Sequence, residues 1–217
     1  MPPSASIASR LPPLRTKGSF TGTLVDPVDS RILVFESTLE EGWACILRTD
    51  HRTREVHDQP APVAYVDDDG IRRSHTFDFR AVLDCGRKIA YAVKPSSRVA
   101  SSGIGRTLEL IRQQVRPGFA DAFVLRTEEH ITKDRVHNAR LILHSWASRD
   151  PDHVEAIARV VRRMRGSALV RDIADASGLG GHALRAIACL IGDGVLRLAR
   201  PARISHSAFV SPGPRAL

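Results

Sequence analysis

Two apolar, β-prone runs, Phe77 to Leu83 and Ile89 to Val93, flank a short turn at Cys85-Gly86-Arg87-Lys88, and no other stretch limits the fold so strongly. The pattern predicts an antiparallel hairpin. Asp78 opens the first run and Lys94 closes the second, so pairing brings both charges to one end of the strand pair. A carboxylate and an ammonium at such a strand end suit a site that holds a divalent cation and activates a water. The plain alternative is a surface ion pair, which contributes little.

Around this hairpin the chain alternates helix and strand signals. Leu39, Trp43, Ile46 and Leu47 recur at helical spacing and predict an amphipathic helix over residues 36–47. Ser37 suits its N-cap, with Glu40 three residues on completing a capping box. Helix chemistry alone favours the cap; the functional alternative is that Glu40 projects onto the Asp78–Lys94 end as a third site group. Residues 55–60 and 61–66 read as short extended pieces, with Pro60 and Pro62 favouring an edge. Asp67-Asp68-Asp69-Gly70 is a solvated hairpin turn; the later ligands of a calcium loop are absent. Residues 96–105 read as a small-residue loop, 106–115 as a helix, 119–127 as a strand and 130–146 as a second long helix.

Composition shifts after Ser148-Arg149-Asp150-Pro151, where a domain boundary is expected. Beyond it the order is helix 153–164, short helix 170–177, Gly-rich turn, helix 182–191 and two strands, 195–198 and 207–210. That is the order of a winged helix-turn-helix. His182 and Arg185 fall on the outer face of its third helix, where a DNA-reading helix presents side chains; such modules also bind proteins. From His153 onward there are ten Arg, no Lys and four acidic residues, a balance that points to a polyanion or to a solvated Arg-rich face. Residues 1–28, rich in Pro, Ser and isolated basic residues, read as a flexible tail.

At 217 residues the chain is long enough for one domain of about 120–150 residues and a small one. No apolar run approaches the roughly 20 residues of a membrane span, and no signal-peptide core is seen. Cys45, Cys85 and Cys189 fit neither a disulfide framework nor zinc spacing, so a reducing cytosol is expected.

Six short motifs in order then resemble one family. They are Ser37-x-x-Glu40, Gln59-Pro60, Thr76-x-Asp78, Val93-Lys94-Pro95, Thr127-Glu128 and the Asn138-to-Leu141 helix. Together they resemble the TnsA endonuclease family, the cleaving subunit of heteromeric bacterial transposases. The resemblance implies an α/β, restriction-endonuclease-like mixed sheet flanked by helices over residues 29–150, followed by a small winged helix over 151–217. It implies Glu40 and Asp78 as ligands of Mg2+ (or Mn2+), with the Val93 carbonyl completing the inner shell, and Lys94 orienting the attacking water. It also implies DNA as substrate, cut at mobile-element ends, with a DDE-type transposase and an AAA+ regulator as partners. The sequence departs from the family twice. Phe77 stands where Pro usually precedes the strand Asp, and Ala92 where Glu or Gln usually stands two before the Lys. Residues 92 and 94 share a strand face, so the expected oxygen is missing from the site. Water, Glu109 or Gln113 is expected to fill its place. With no replacement, the chain would be an inactive nuclease-fold assembly factor that binds DNA or protein.

Overall fold

The structure is a computed structural model and describes residues 2–9, 21–115 and 118–216. It contains two compact units, residues 1–48 with 52–132 and residues 49–51 with 133–217. The division therefore falls at Thr132–Lys133, ahead of the compositional shift at residue 150.

The first unit begins earlier than the sequence suggests. Strand β1 (Gly22–Asp26) pairs antiparallel with β2 (Arg31–Phe35), so residues 22–26 belong to a hairpin and not to a tail. Ser4 bridges to Arg31, and the Ser6 hydroxyl donates to the buried Asp58 carboxylate at 2.6 Å. The remainder of the expected tail, residues 10–20, lies outside the described residues. Helix α1 (Thr38–Thr49) follows, then β3 (Thr53–Asp58), β4 (Val63–Val66), β5 (Arg72–His75), β6 (Phe79–Leu83) and β7 (Lys88–Val93). The small-residue stretch expected to be a loop forms helix α2 (Ser96–Ser102), which precedes α3 (Ile104–Gln114) and β8 (Ala122–Arg126).

Four strands make a mixed sheet in the order β3-β6-β7-β8. The first three are antiparallel, β6 and β7 through a short turn and β3 and β6 across the intervening β4–β5 hairpin, whereas β8 returns parallel to β7 after the helical crossover that a parallel pair needs. The Asp67 turn joins β4 to β5, and its carboxylate accepts the amides of Asp69 and Ile71. Alternation along β7 divides the core. Ala90 and Ala92 pack with Phe77, Ile104, Leu108, Ile111 and Phe123, where α3 covers the sheet. Tyr91 points the other way and meets Trp43 of α1 edge-on at 5.1 Å. A mixed α/β architecture flanked by helices is thus established.

The second unit holds α4 (Lys133–Ala147), α5 (Pro151–Val161), β9 (Ala168–Leu169), α6 (Val170–Ser177), α7 (Ala183–Gly192), β10 (Leu196–Leu198) and β11 (Phe209–Pro212). Its three short strands pair in the order β10-β11-β9. Asp150 caps α5 by accepting the amides of Asp152 and His153, and Pro151 needs no amide partner in that first turn. Val154, Ile157, Ile173, Ile187, Leu190, Leu196 and Val210 form the core. Helix α4 joins it because Ile142 packs against Ala188 and Ile204. Gly192 permits that approach, since a Cβ there would collide with Ile142 and Trp146. Asn138 fastens the segment before β11, donating to Ala202 O and accepting from Ile204 N, both at 2.8 Å. Among the described residues no helix is long and apolar enough to cross a membrane.

Candidate active site

Asp78 stands at the bend that leads into β6, and two main-chain hydrogen bonds and one through its carboxylate hold it there. Its amide donates to the Tyr91 carbonyl at 3.0 Å, and its carbonyl accepts the Gln59 amide at 2.9 Å. Its carboxylate Oδ2 accepts the Val93 amide at 2.7 Å. The hairpin therefore aims the Asp78 carboxylate at the end of β7, one residue before Lys94. Lys94 is fixed in turn, because its amide donates to Arg126 O of β8 at 2.9 Å. Just beyond it, Glu128 accepts both the amide and the hydroxyl of Ser96, which pins the chain leaving β7.

Helix α1 delivers the second carboxylate. The Ser37 hydroxyl accepts the Glu40 amide at 3.1 Å and donates to Glu40 Oε1 at 2.9 Å, while Glu40 Oε2 accepts the Glu36 amide at 2.8 Å. Ser37 thus caps α1 as the sequence predicts, but the Glu40 carboxylate takes the Glu36 amide and the Ser37 hydroxyl in place of the Ser37 amide of a standard capping box, and these bonds orient it. Only 8% of Glu40 is exposed. Burial raises its pKa above the ordinary carboxylate range; its hydrogen bonds and the Lys94 charge oppose the rise, and Glu36 adds to it. For Asp78, burial and then the Glu40 charge push the pKa up to about 7, against the Val93 amide and Lys94. Of the three residues singled out in the sequence, Glu40 and Lys94 are therefore both near enough to act on the Asp78 carboxylate, and Lys94 on Glu40.

Two further residues border this end of the sheet; of these the sequence flags Gln59, through the Gln59-Pro60 motif, but not His75. His75 closes β5 with its ring edge-on to Phe77 at 4.7 Å. Its Nε2 is buried without a hydrogen-bond partner, and burial followed by the Lys94 charge lowers its pKa. Gln59, 3% exposed, takes a left-handed backbone with φ of 38°, a costly conformation that its amide bond to Asp78 helps to hold. The amide and hydroxyl of Ser9 both donate to its carbonyl. Only its position near the Asp78 motif hints at the role of His75.

Ala92 is 1% exposed and its methyl packs in the apolar cluster with Phe77 and Ile104, so position 92 is filled by core contacts. Neither expected substitute is free to serve there. Glu109 pairs with Arg106 at 3.1 Å on an exposed surface, and Gln113 is exposed.

The chemistry of the donors fits a hard divalent cation. A carboxylate whose pKa is raised by burial and by a neighbouring carboxylate, as at Asp78, is relieved by a cation, which favours its ionised form. Asp78 and Glu40 would supply side-chain oxygens and Val93 a backbone one. Among the described residues no group of three or more His, Cys, Asp or Glu side chains has metal-holding spacing, so water would complete the set. The other predicted residues, His182 and Arg185, are exposed in the second unit and line one small cavity there. No protein-family model matches the chain, and no curated protein matches it.

Proposed function

We propose that the first unit is a metal-dependent DNA endonuclease domain similar to the TnsA family, of the restriction-endonuclease-like class. The observation that carries this reading is the meeting of Asp78, Glu40 and Lys94 where β6 begins and β7 ends. The Val93 amide holds Asp78, and the Ser37 hydroxyl and Glu36 amide hold Glu40. The topology agrees: α1, three antiparallel strands, a helical crossover and a parallel fourth strand.

Asp78, Glu40 and the Val93 carbonyl would hold Mg2+ or Mn2+, which when bound polarises the phosphate and acidifies a neighbouring water. The Lys94 ammonium orients that water and stabilises charge developing on a phosphate oxygen. Burial of Glu40 strengthens these interactions. In the second unit, the order α5-β9-α6-α7-β10-β11 supports a winged helix-turn-helix that binds DNA or a protein partner. A DDE-type transposase and an AAA+ regulator are the partner classes this reading implies, in a bacterial-type cytoplasm.

The test is nicking of supercoiled plasmid with Mg2+ or Mn2+ by the wild type, Asp78→Ala and Lys94→Ala, alone and with a candidate transposase. The reading expects nicked circles from the wild type and none from either variant. Nicking that survives both substitutions overturns it. The burial of Ala92 favours a second reading, an assembly factor on a nuclease fold with weakened or lost catalysis. Duplex binding without nicking in every arm would establish that alternative.

A further inference from the structure

In the second unit the rings of His153 and His182 stack, with centroids 4.8 Å apart and planes 28° from parallel. Together with Arg149 and Arg185 they line a cavity of about 30 Å³, which also touches Asp150. That volume admits one or two oxygen-sized atoms and no base or apolar side chain.

The two acidic groups nearby are already engaged. Asp150 caps α5 and lies 3.4 Å from His153 Nδ1, and Asp193 takes the Arg149 guanidinium through bonds of 3.1 and 2.8 Å. Arg185 has no ion-pair partner among the described residues and is exposed at the rim. The donors left for a ligand are therefore a guanidinium and imidazole N–H groups around a space the size of an anionic oxygen.

We propose that this cavity binds a backbone phosphate of duplex DNA, so that His182 and Arg185 position the duplex and do not read its bases. Arg185 supplies the charge, and the stacked imidazoles supply flat donors to the phosphate oxygens. The proposal rests on DNA as the ligand of this protein, but on no step of the cutting reaction.

The test measures binding of a fluorescein-labelled 20-bp duplex by the full chain at several salt concentrations. Wild type, Arg185→Ala, His182→Ala and the control Arg162→Ala are compared on two unrelated sequences. Losing one phosphate contact should weaken binding by up to about tenfold on both sequences. The slope of log affinity against log salt should also fall by about one for Arg185→Ala. Arg162→Ala, which loses only its exposed pair with Glu155, should match the wild type. Because Arg185 and His182 are exposed, both variants should keep the wild-type melting temperature. An unchanged slope, a loss confined to one sequence or no duplex binding by the wild type overturns the proposal. Loss of plasmid nicking with these binding effects intact would sink the nuclease reading alone.

Discussion

Two acidic spots in the first unit are handled in opposite ways. Asp26, at the end of β1, is fully buried against the Arg48 guanidinium, with Nε 2.7 Å from Oδ2. Burial raises its pKa and Arg48 opposes the rise. Asp78 is instead flanked by Glu40, and there burial and the second carboxylate push the same way. The first arrangement closes a hairpin onto α1. The second works against folding, because a buried pair of like charges costs stability that a neutral pair would not. This local conflict is held in place by the Ser37–Glu40 bonds at the start of α1 and by the hydrogen bonds of Asp78, and it is what the proposed cation site would relieve.

The largest expected effect comes from undoing the matched spot. Arg48→Ala leaves Asp26 buried and unpaired, and should cost about 3–5 kcal/mol in urea unfolding. A cost below about 1 kcal/mol would mean that the pair is not the clamp described here.

Next is the unmatched spot. Asp78 ordinarily titrates near 3.8 but is raised to about 7 in the fold. Between these values the native state keeps a proton that the unfolded chain has lost. Stability of the metal-free protein therefore falls as pH rises through that window, by about 2–4 kcal/mol. Asp78→Asn should lack this fall, so urea unfolding at pH 5 and pH 8 separates the two proteins. Parallel pH profiles would contradict the conflict at this site.

Adding a third carboxylate sharpens the contrast. Ala92→Glu must displace atoms of the cluster around Phe77 and Ile104, costing at least about 1–3 kcal/mol by overpacking alone. Thermal melting checks it, and an unchanged midpoint would show that the side chain escapes into the site. The smallest effect is expected of Glu40→Gln. An amide can keep the capping bonds while relieving the repulsion, so stability should stay within about 1 kcal/mol. A larger drop in the same melt would make Glu40 a structural cap first.

Much of this site was legible because its parts are local. Ser37 and Glu40 lie three residues apart at a helix start, and Asp78 and Lys94 bracket a hairpin whose turn and alternation are plain in the sequence. The parts that escaped are fixed from a distance. Strand β1 lacks strong periodicity and is held by β2, with Arg48 of α1 against its last residue, Asp26. Helix α4 reads as a continuation of the first unit because its partners, Ala188 and Ile204, come some fifty residues later. His75 and Gln59 gain their roles from burial and from a backbone angle, neither of which residue type reveals.

The central claim is that Asp78 and Glu40 form a cation site. Calorimetric titration of Mn2+ into the metal-free wild type and Asp78→Asn at pH 8 tests it most directly. The account predicts saturable uptake of a single ion by the wild type and its loss in the still-folded variant. Uptake that Asp78→Asn leaves unchanged, or none by the wild type, would contradict it.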